Sequence, residues 1–141
     1  MDKITDQIYL GSSADGLHRK PQLKAAGITA ILNVARDLTN TTTTHKEFEM
    51  YHVGIMDGGG NNVAIAIAAH TVLRALLSDG HKVLVHCHEG KSRSAGLVAC
   101  QLVYTGQFDS MEEAIDFLKS KRPRVNPNSD IVKLFSAVAF L

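Results

Sequence analysis

The stretch Lys82-Val83-Leu84-Val85-His86-Cys87-His88-Glu89-Gly90-Lys91-Ser92-Arg93-Ser94 decides the fold. It opens with an apolar, β-forming run at 82–86, continues through a polar turn that contains a glycine, and leads into a segment at 94–104 that is apolar nearly all round. A run of the first kind is typical of a buried strand, and a segment of the last kind is typical of a central helix. The sequence therefore predicts a buried strand, a tight loop and a central helix in succession.

The loop between these two elements has the form of an anion site. A chain that turns from a strand into a helix directs successive backbone N–H groups and the positive end of the helix dipole at one small volume, which suits a phosphate dianion. Cys87 lies at the base of this cradle, where such a field lowers a thiol pKa from about 8.5 to roughly 3.5–7.5. Cys87 is therefore the predicted nucleophile, active without a separate base. The predicted phosphate-binding loop consists of His88, Glu89, Gly90, Lys91, Ser92 and Arg93.

Four side chains around the thiol have predicted roles. Arg93 lies six positions after Cys87, in the first turn of the helix, where its planar fork can hold two phosphate oxygens and stabilise the transition state. Ser94 is predicted to donate to the cysteine sulfur and help it leave, with a plain helix-start serine as the alternative. His86 is expected to fix the loop through a backbone hydrogen bond, and His88 to lie at the rim.

Other chemistries for this loop fit less well. A nucleotide-binding P-loop would need glycine at position 85, which is Val85. A zinc site is disfavoured because His86, Cys87 and His88 alternate in direction on an extended chain and no second Cys/His pair occurs. Cys100 lies about eight residues into the helix, roughly 12 Å away, whereas a disulfide tolerates at most about 7 Å. Cys100 is therefore predicted as a core thiol, and no metal or cofactor is expected.

Strand-like and helical patterns alternate along the whole chain. Such alternation predicts an α/β domain with a central, mostly parallel four- to five-stranded sheet flanked by helices. The strand-like runs are 8–10, 28–34, 50–55 and 82–86, and the helical patterns are 61–78, 94–104, 110–118 and 131–138. Without repeats or a linker, residues 1–141 are predicted to form a single domain. The run from Thr41 to Thr44 is expected to be an exposed loop.

The pattern His86-Cys87, five residues, then Arg93-Ser94 resembles the signature of the protein tyrosine phosphatase superfamily, and its ending resembles the dual-specificity branch. Three further segments resemble that branch: Ile8-Tyr9-Leu10-Gly11, Ile31-Leu32-Asn33-Val34, and Arg122-Pro123 through Asn126-Pro127-Asn128. The resemblance implies one metal-independent catalytic domain that acts on phosphoproteins through a phosphocysteine. Asn128, in the last of these segments, is taken as a supporting residue.

A general acid must protonate the leaving oxygen. In a parallel sheet the reactive groups gather beyond the carboxyl ends of the strands, and Asp57 and Asp37 both follow predicted strands there. Asp79 precedes the strand of Cys87 and lies about 23 Å away, at the wrong edge. Asp57 is favoured because Gly58-Gly59-Gly60 follows it, and its position 30 residues before the cysteine is similar to the family's acid loop. Asp37 is the alternative acid, and a plain Asp-Gly turn at Asp57 is the other possibility.

The composition of the chain limits the kinds of molecule that it is expected to bind. With 15 Lys+Arg against 14 Asp+Glu the net charge is +1, so no nucleic-acid partner is expected. The two cysteines favour a reducing compartment, the cytoplasm with the nucleus as an alternative. No signal peptide is visible, and the apolar stretch at 63–77 is too short to span a bilayer, so no membrane anchor is expected. The oligomeric state is left open.

The basic group Lys119, Lys121, Arg122 and Arg124 is expected to be a solvated helix end, with attraction of acidic substrates as the alternative.

The predicted function is a cysteine-dependent protein phosphatase. Almost no chain precedes the strand at Ile8 and the sequence has no Trp, so a shallow pocket is expected that accepts both phosphotyrosine and phosphoserine/phosphothreonine. A phosphoinositide or an RNA 5′-phosphate substrate is the alternative, although Glu89 offsets the charge of Lys91 in the loop. A catalytically silent phosphate-binding module is the other alternative, and it would not need a reactive thiol at Cys87.

Overall fold

The computed structural model describes residues 1–39 and 47–141. The strands are β1 (Asp2–Lys3), β2 (Ile8–Gly11), β3 (Ala30–Ala35), β4 (Glu49–Ile55) and β5 (Val83–His86). The helices are α1 (Ser13–His18), α2 (Lys20–Ala26), α3 (Val63–Ser78), α4 (Arg93–Tyr104), α5 (Met111–Lys121) and α6 (Ser129–Ala139). The predicted loop from Thr41 to Thr44 lies outside the described residues.

The described strands form a mixed sheet in the order β1-β2-β5-β3-β4. β2, β5, β3 and β4 are parallel, and β1 adds an antiparallel edge to β2. β5 is the central strand because β2 and β3 pair with its two sides. All four of its residues are buried. The predicted mostly parallel α/β sheet is confirmed. Parallel strands bring the segments that follow β3, β4 and β5 to one edge of the sheet, where ligands commonly bind.

The two faces of the sheet carry different helices. Side chains of α3, α4, α5 and α6 share the large core with Val83 and Val85 of β5. Leu84, between them, points to the other face and joins a smaller cluster with Leu23 of α2. α4 is buried along nearly its whole length, and a Cβ at Gly96 would lie 2.5 Å from Ile131, so α4 and α6 pack in close contact. The helix that starts at the loop is thus held firmly by the core.

Three elements of the structure were not predicted from the sequence. β1 has two residues, and α1 and α2 have six and seven, too short for apolar periodicity to register. α1 also contains Gly16, a weak helix former, and depends on a local contact in which the Ser12 N–H donates to the Asp15 carboxylate at 3.0 Å. β3 begins at Ala30, two residues later than the predicted strand.

Candidate active site

The loop between β5 and α4 is held open by contacts on its outer side. The carbonyls of four successive residues accept hydrogen bonds from elsewhere: His88 from the Ser13 N–H at 2.9 Å, Glu89 and Gly90 from the Arg122 guanidinium at 2.9 Å each, and Lys91 from the Asn126 N–H at 2.8 Å. Gly90 has φ +65°, and a Cβ there would collide with the Gly11 carbonyl and with Arg122. The loop therefore requires glycine at this position and has little freedom to rearrange.

Cys87 lies at the base of the loop, 3% exposed. Burial alone would raise its pKa, but hydrogen bonds from the Ser94 hydroxyl and from the N–H groups of Ser94, Gly90 and Lys91 outweigh it, so the pKa of Cys87 lies below that of an ordinary thiol. The Sγ atom is 3.1 Å from Ser94 Oγ, within hydrogen-bond distance. The arrangement favours a thiolate.

Arg93 projects into the same cavity with its side chain 5% exposed. Its Nη1 donates to Asp37 Oδ1 at 2.6 Å and to the Ile55 carbonyl at 3.0 Å. Within residues 1–39 and 47–141 these are the hydrogen bonds of this guanidinium, so its other edge, Nε and Nη2, is free to hold two oxygens of a phosphate.

Asp37 follows β3 and links two loop residues. One carboxylate oxygen accepts from Arg93, and the other lies 3.1 Å from His88 Nε2. The hydrogen bond from Arg93 is the main reason that the pKa of Asp37 lies below its usual range. A carboxyl group held ionised in this way has no proton to donate near neutral pH, which argues against Asp37 as general acid.

Asp57 follows β4 and lies at the mouth of the cavity, exposed. Asn128 Nδ2 donates to Asp57 Oδ1 at 2.9 Å, and the Asn128 N–H donates to Ser92 Oγ at 3.1 Å. Asn128 is also the N-cap of α6, since its Oδ1 accepts from the Ile131 N–H at 2.9 Å. Asn128 thus connects Asp57, the loop between β5 and α4, and the start of α6.

Around these residues is a cavity of about 510 Å³. It is lined by Asp37, Asp57, Cys87, His88, Glu89, Lys91, Ser92, Arg93, Asn126 and Asn128. Of the predicted site residues, His86, Gly90 and Ser94 lie behind this lining rather than in it. His86 is fully buried, its Nδ1 is 3.0 Å from the Cys87 carbonyl, and burial lowers the pKa of its imidazole. A neutral His86 that donates to this carbonyl fixes the start of the loop.

Two contributions to the site were missed by sequence reasoning. Asp37 was considered only as an acid, whereas the structure makes it the ion-pair partner of Arg93. Arg122 was expected to be solvated with its basic neighbours, and this expectation is wrong, because its side chain is 8% exposed and bonded to the loop. Lys119, Lys121 and Arg124 are exposed, as predicted. Sequence reasoning missed the role of Arg122 because this residue lies in a basic run. The available signal was its place in the segment at 122–128, which resembles the dual-specificity branch.

Cys100 is buried in α4, and burial raises its pKa to about 12, as expected of a core thiol. In the part of the chain that the structure describes, His, Cys, Asp and Glu side chains form no cluster that could hold a metal ion. No helix among the described residues is both long and apolar enough to cross a membrane.

A buried cysteine with a lowered pKa, lining a cavity with Arg93 at the carboxyl edge of a parallel sheet, is the arrangement that a cysteine phosphatase requires. Residues 8–137 match the family described as dual specificity phosphatase, catalytic domain, and the chain belongs to this family. Dual specificity protein phosphatase 1-B of Xenopus laevis is 31% identical over 127 residues, which cover 89% of this chain. The chain spans about a third of that relative, 33% of its length.

Solved structures share the fold. The crystal structure of human DUSP28 superposes with a TM-score of 0.84 at 23% identity, covering 99% of this chain and 96% of that chain. The structure of PTPMT1 in complex with PI(5)P superposes with a TM-score of 0.81 at 21% identity, covering 98% of this chain and 93% of that chain. At these identities the likeness establishes the architecture, the predicted phosphatase fold.

Proposed function

We propose that residues 1–141 form one catalytic domain that hydrolyses phosphotyrosine and phosphoserine/phosphothreonine in proteins through a phosphocysteine at Cys87, without a metal. The observation that carries the proposal is the thiol itself. Its Sγ lies 3.1 Å from Ser94 Oγ, loop N–H groups lower its pKa, and it lines one cavity with Arg93 and Asp57.

In the first step the Cys87 thiolate attacks phosphorus and the bond from phosphorus to the side-chain oxygen breaks. Protonated Asp57 gives its proton to that oxygen, so the dephosphorylated side chain leaves as a neutral alcohol or phenol. Arg93 and the loop N–H groups hold the equatorial oxygens through the transition state. The products of this step are the dephosphorylated protein and the phosphocysteine.

In the second step water attacks the phosphocysteine and the sulfur–phosphorus bond breaks. The Asp57 carboxylate takes a proton from the water, and the sulfur leaves as the thiolate, stabilised by the Ser94 hydroxyl. Inorganic phosphate is released, Asp57 is again protonated and Cys87 is again ionised. No other reactant is required.

Asp57 is assigned as the acid for two reasons. It lies on the cavity mouth with an amide donor, Asn128, that orients one carboxylate oxygen, and among the described residues the other oxygen has no hydrogen bond and can carry a proton. Its rival Asp37 is ionised by contact with Arg93. The Gly58-Gly59-Gly60 segment after Asp57 would allow the acid to approach substrates of different length.

The proposal that both phosphotyrosine and the shorter phosphoserine and phosphothreonine are substrates depends on the cavity wall. No Phe, Tyr or Trp is among the residues that line it, so far as the described chain extends, and polar side chains form its rim. A wall without aromatic rings does not select for an aromatic substrate over a shorter side chain.

A phosphoinositide is the second candidate substrate. The feature that favours it is Lys91, an exposed cation inside the loop, and the PTPMT1 structure with the same fold holds PI(5)P. A silent phosphate-binding module has weaker support because it does not account for the activated thiol. An RNA 5′-phosphate has weaker support because the chain carries a net charge of only +1. A nucleophile that must stay reduced also fits a reducing compartment, the cytoplasm or the nucleus.

Turnover assays with a chelator present test the proposal. Wild type is expected to hydrolyse an aryl phosphate and matched phosphopeptides, Cys87→Ser to be inactive, and the control Cys100→Ala to stay active. A side-by-side panel of phosphopeptides, PI(5)P and an RNA 5′-triphosphate separates the substrate classes. Hydrolysis of the lipid or the RNA alone would overturn the protein-phosphatase assignment, and inactivity on all of them in a folded protein would favour the silent module.

A further inference from the structure

The outward direction of the loop carbonyls determines where the loop amides point. In a trans peptide the C=O and the N–H of the same unit point in opposite directions. The outward carbonyls of Glu89 and Gly90 therefore turn the N–H groups of Gly90 and Lys91 inward. These are two of the backbone N–H groups that donate to the Cys87 sulfur.

Both of these carbonyls are held by a single side chain. Arg122 Nη2 donates to the Glu89 carbonyl and Nε donates to the Gly90 carbonyl, each at 2.9 Å. Its remaining nitrogen, Nη1, donates to Asp2 Oδ2 at 2.8 Å. The side chain is 8% exposed, so water competes little with these hydrogen bonds. The guanidinium has the fixed, planar geometry that holding two neighbouring carbonyls requires.

We propose that Arg122 is a positioning residue for catalysis: it holds the Glu89 and Gly90 carbonyls outward and thereby aims the Gly90 and Lys91 amides at the nucleophile and the bound phosphate. The inference rests on the proposed function only in taking Cys87 as the nucleophile. Arg122 is not among the residues that line the cavity, and it acts through the loop backbone.

The competing explanation is a purely structural role, in which Arg122 ties the segment after α5 to β1 through Asp2. Loss of such a tie lowers the melting temperature but leaves the reactivity of Cys87 unchanged in the folded protein. The rate at which iodoacetamide alkylates Cys87, followed against pH, separates the two roles. This reagent is neutral and needs no phosphate site. Peptide mass spectrometry separates Cys87 from the buried Cys100.

The variants are Arg122→Met, Arg122→Lys and the matched control Arg124→Met. Arg124 is exposed and its contact with the Glu89 carbonyl is 3.5 Å long, so its loss should change little. The ionisable groups around the thiol stay the same in all three variants: His86, His88, Glu89, Lys91 and Arg93 on the loop, and Asp37 and Asp57 across the cavity.

Arg122→Met is expected to raise the measured pKa of Cys87 by about one unit, so that alkylation at acidic pH slows about tenfold. It should also weaken inhibition by inorganic phosphate several-fold. Arg122→Lys, which keeps the charge but lacks the fork, should shift both quantities in the same direction by less. Arg124→Met should match wild type.

A folded Arg122→Met protein with the wild-type pKa of Cys87 would overturn the proposal. If the methionine variant does not fold, Arg122→Lys decides: wild-type alkylation and phosphate inhibition in that variant would equally overturn it. The alkylation test does not depend on turnover. If wild type proved unable to hydrolyse any phosphate ester, the proposed function would fail while the effect of Arg122 on the thiol could still be measured.

Discussion

Replacing Asp57 with asparagine tests the acid assignment most selectively. Asparagine keeps the size of the side chain and a carbonyl oxygen for the Asn128 amide that now donates at 2.9 Å, so the position of the loop should survive. What is lost is the proton. General acid catalysis contributes roughly 10²–10⁴ in rate, which corresponds to about 2.7–5.5 kcal/mol of transition-state stabilisation. The full loss is expected for alkyl phosphates, whose alkoxides leave poorly.

The assay is kcat/KM for a series of phosphate esters whose leaving groups differ in pKa, because kcat/KM reports formation of the phosphocysteine and not its hydrolysis, a step that all esters share. In wild type kcat/KM should depend weakly on leaving-group pKa, and in Asp57→Asn it should depend steeply, with activated aryl phosphates nearly unaffected. Asp37→Asn is the matched control. Because Asp37 contacts Arg93 at 2.6 Å, its loss should lower kcat/KM for all esters alike. The reasoning is refuted if Asp57→Asn slows all esters equally, or if the steep dependence appears in Asp37→Asn instead.

Three further predictions concern the same site. Arg93→Lys should lose most of its kcat/KM although its charge is unchanged, because lysine lacks the fork that leaves one edge for phosphate while Nη1 bonds Asp37; a variant that retains most of the wild-type rate would remove the clamp role. Ser94→Ala should slow breakdown of the phosphocysteine more than its formation, seen as a burst of alcohol in rapid-quench kinetics, and a variant without a burst would contradict the role of this hydroxyl. Peptides that differ only in the phosphorylated residue should all be hydrolysed, whereas a phosphotyrosine preference above about 10⁴-fold, or about 5.5 kcal/mol, would reveal a deep, selective pocket.

The strand, loop and helix that carry Cys87 were predictable because their signal is local. An apolar run, a glycine-containing turn and an apolar helix follow one another without interruption, and Cys87 and Arg93 lie within one short segment. The sheet topology then required that the segments after β3 and β4 lie at the same edge. For this reason the sequence limited the candidates for the general acid to Asp37 and Asp57, but it did not show what either side chain contacts.

The remaining features depend on contacts between distant parts of the chain. The bond from Arg93 to Asp37 joins residues 56 positions apart, and those from Arg122 to the loop join residues 32 and 33 positions apart. No spacing rule reports such pairs. α1 was not predicted because its signal is local but weak: six residues with an internal glycine have no helical preference strong enough to detect.

The most direct test of the central claim is to trap the covalent intermediate. Wild type mixed with an aryl phosphate, quenched in acid within its first turnover and digested, should yield the Cys87 peptide carrying one phosphoryl group. The peptide that contains Cys100 should stay unmodified, and Cys87→Ser should yield no phosphocysteine and no turnover. Phosphate found on another side chain, or turnover that persists near the wild-type rate in Cys87→Ser, would contradict the account.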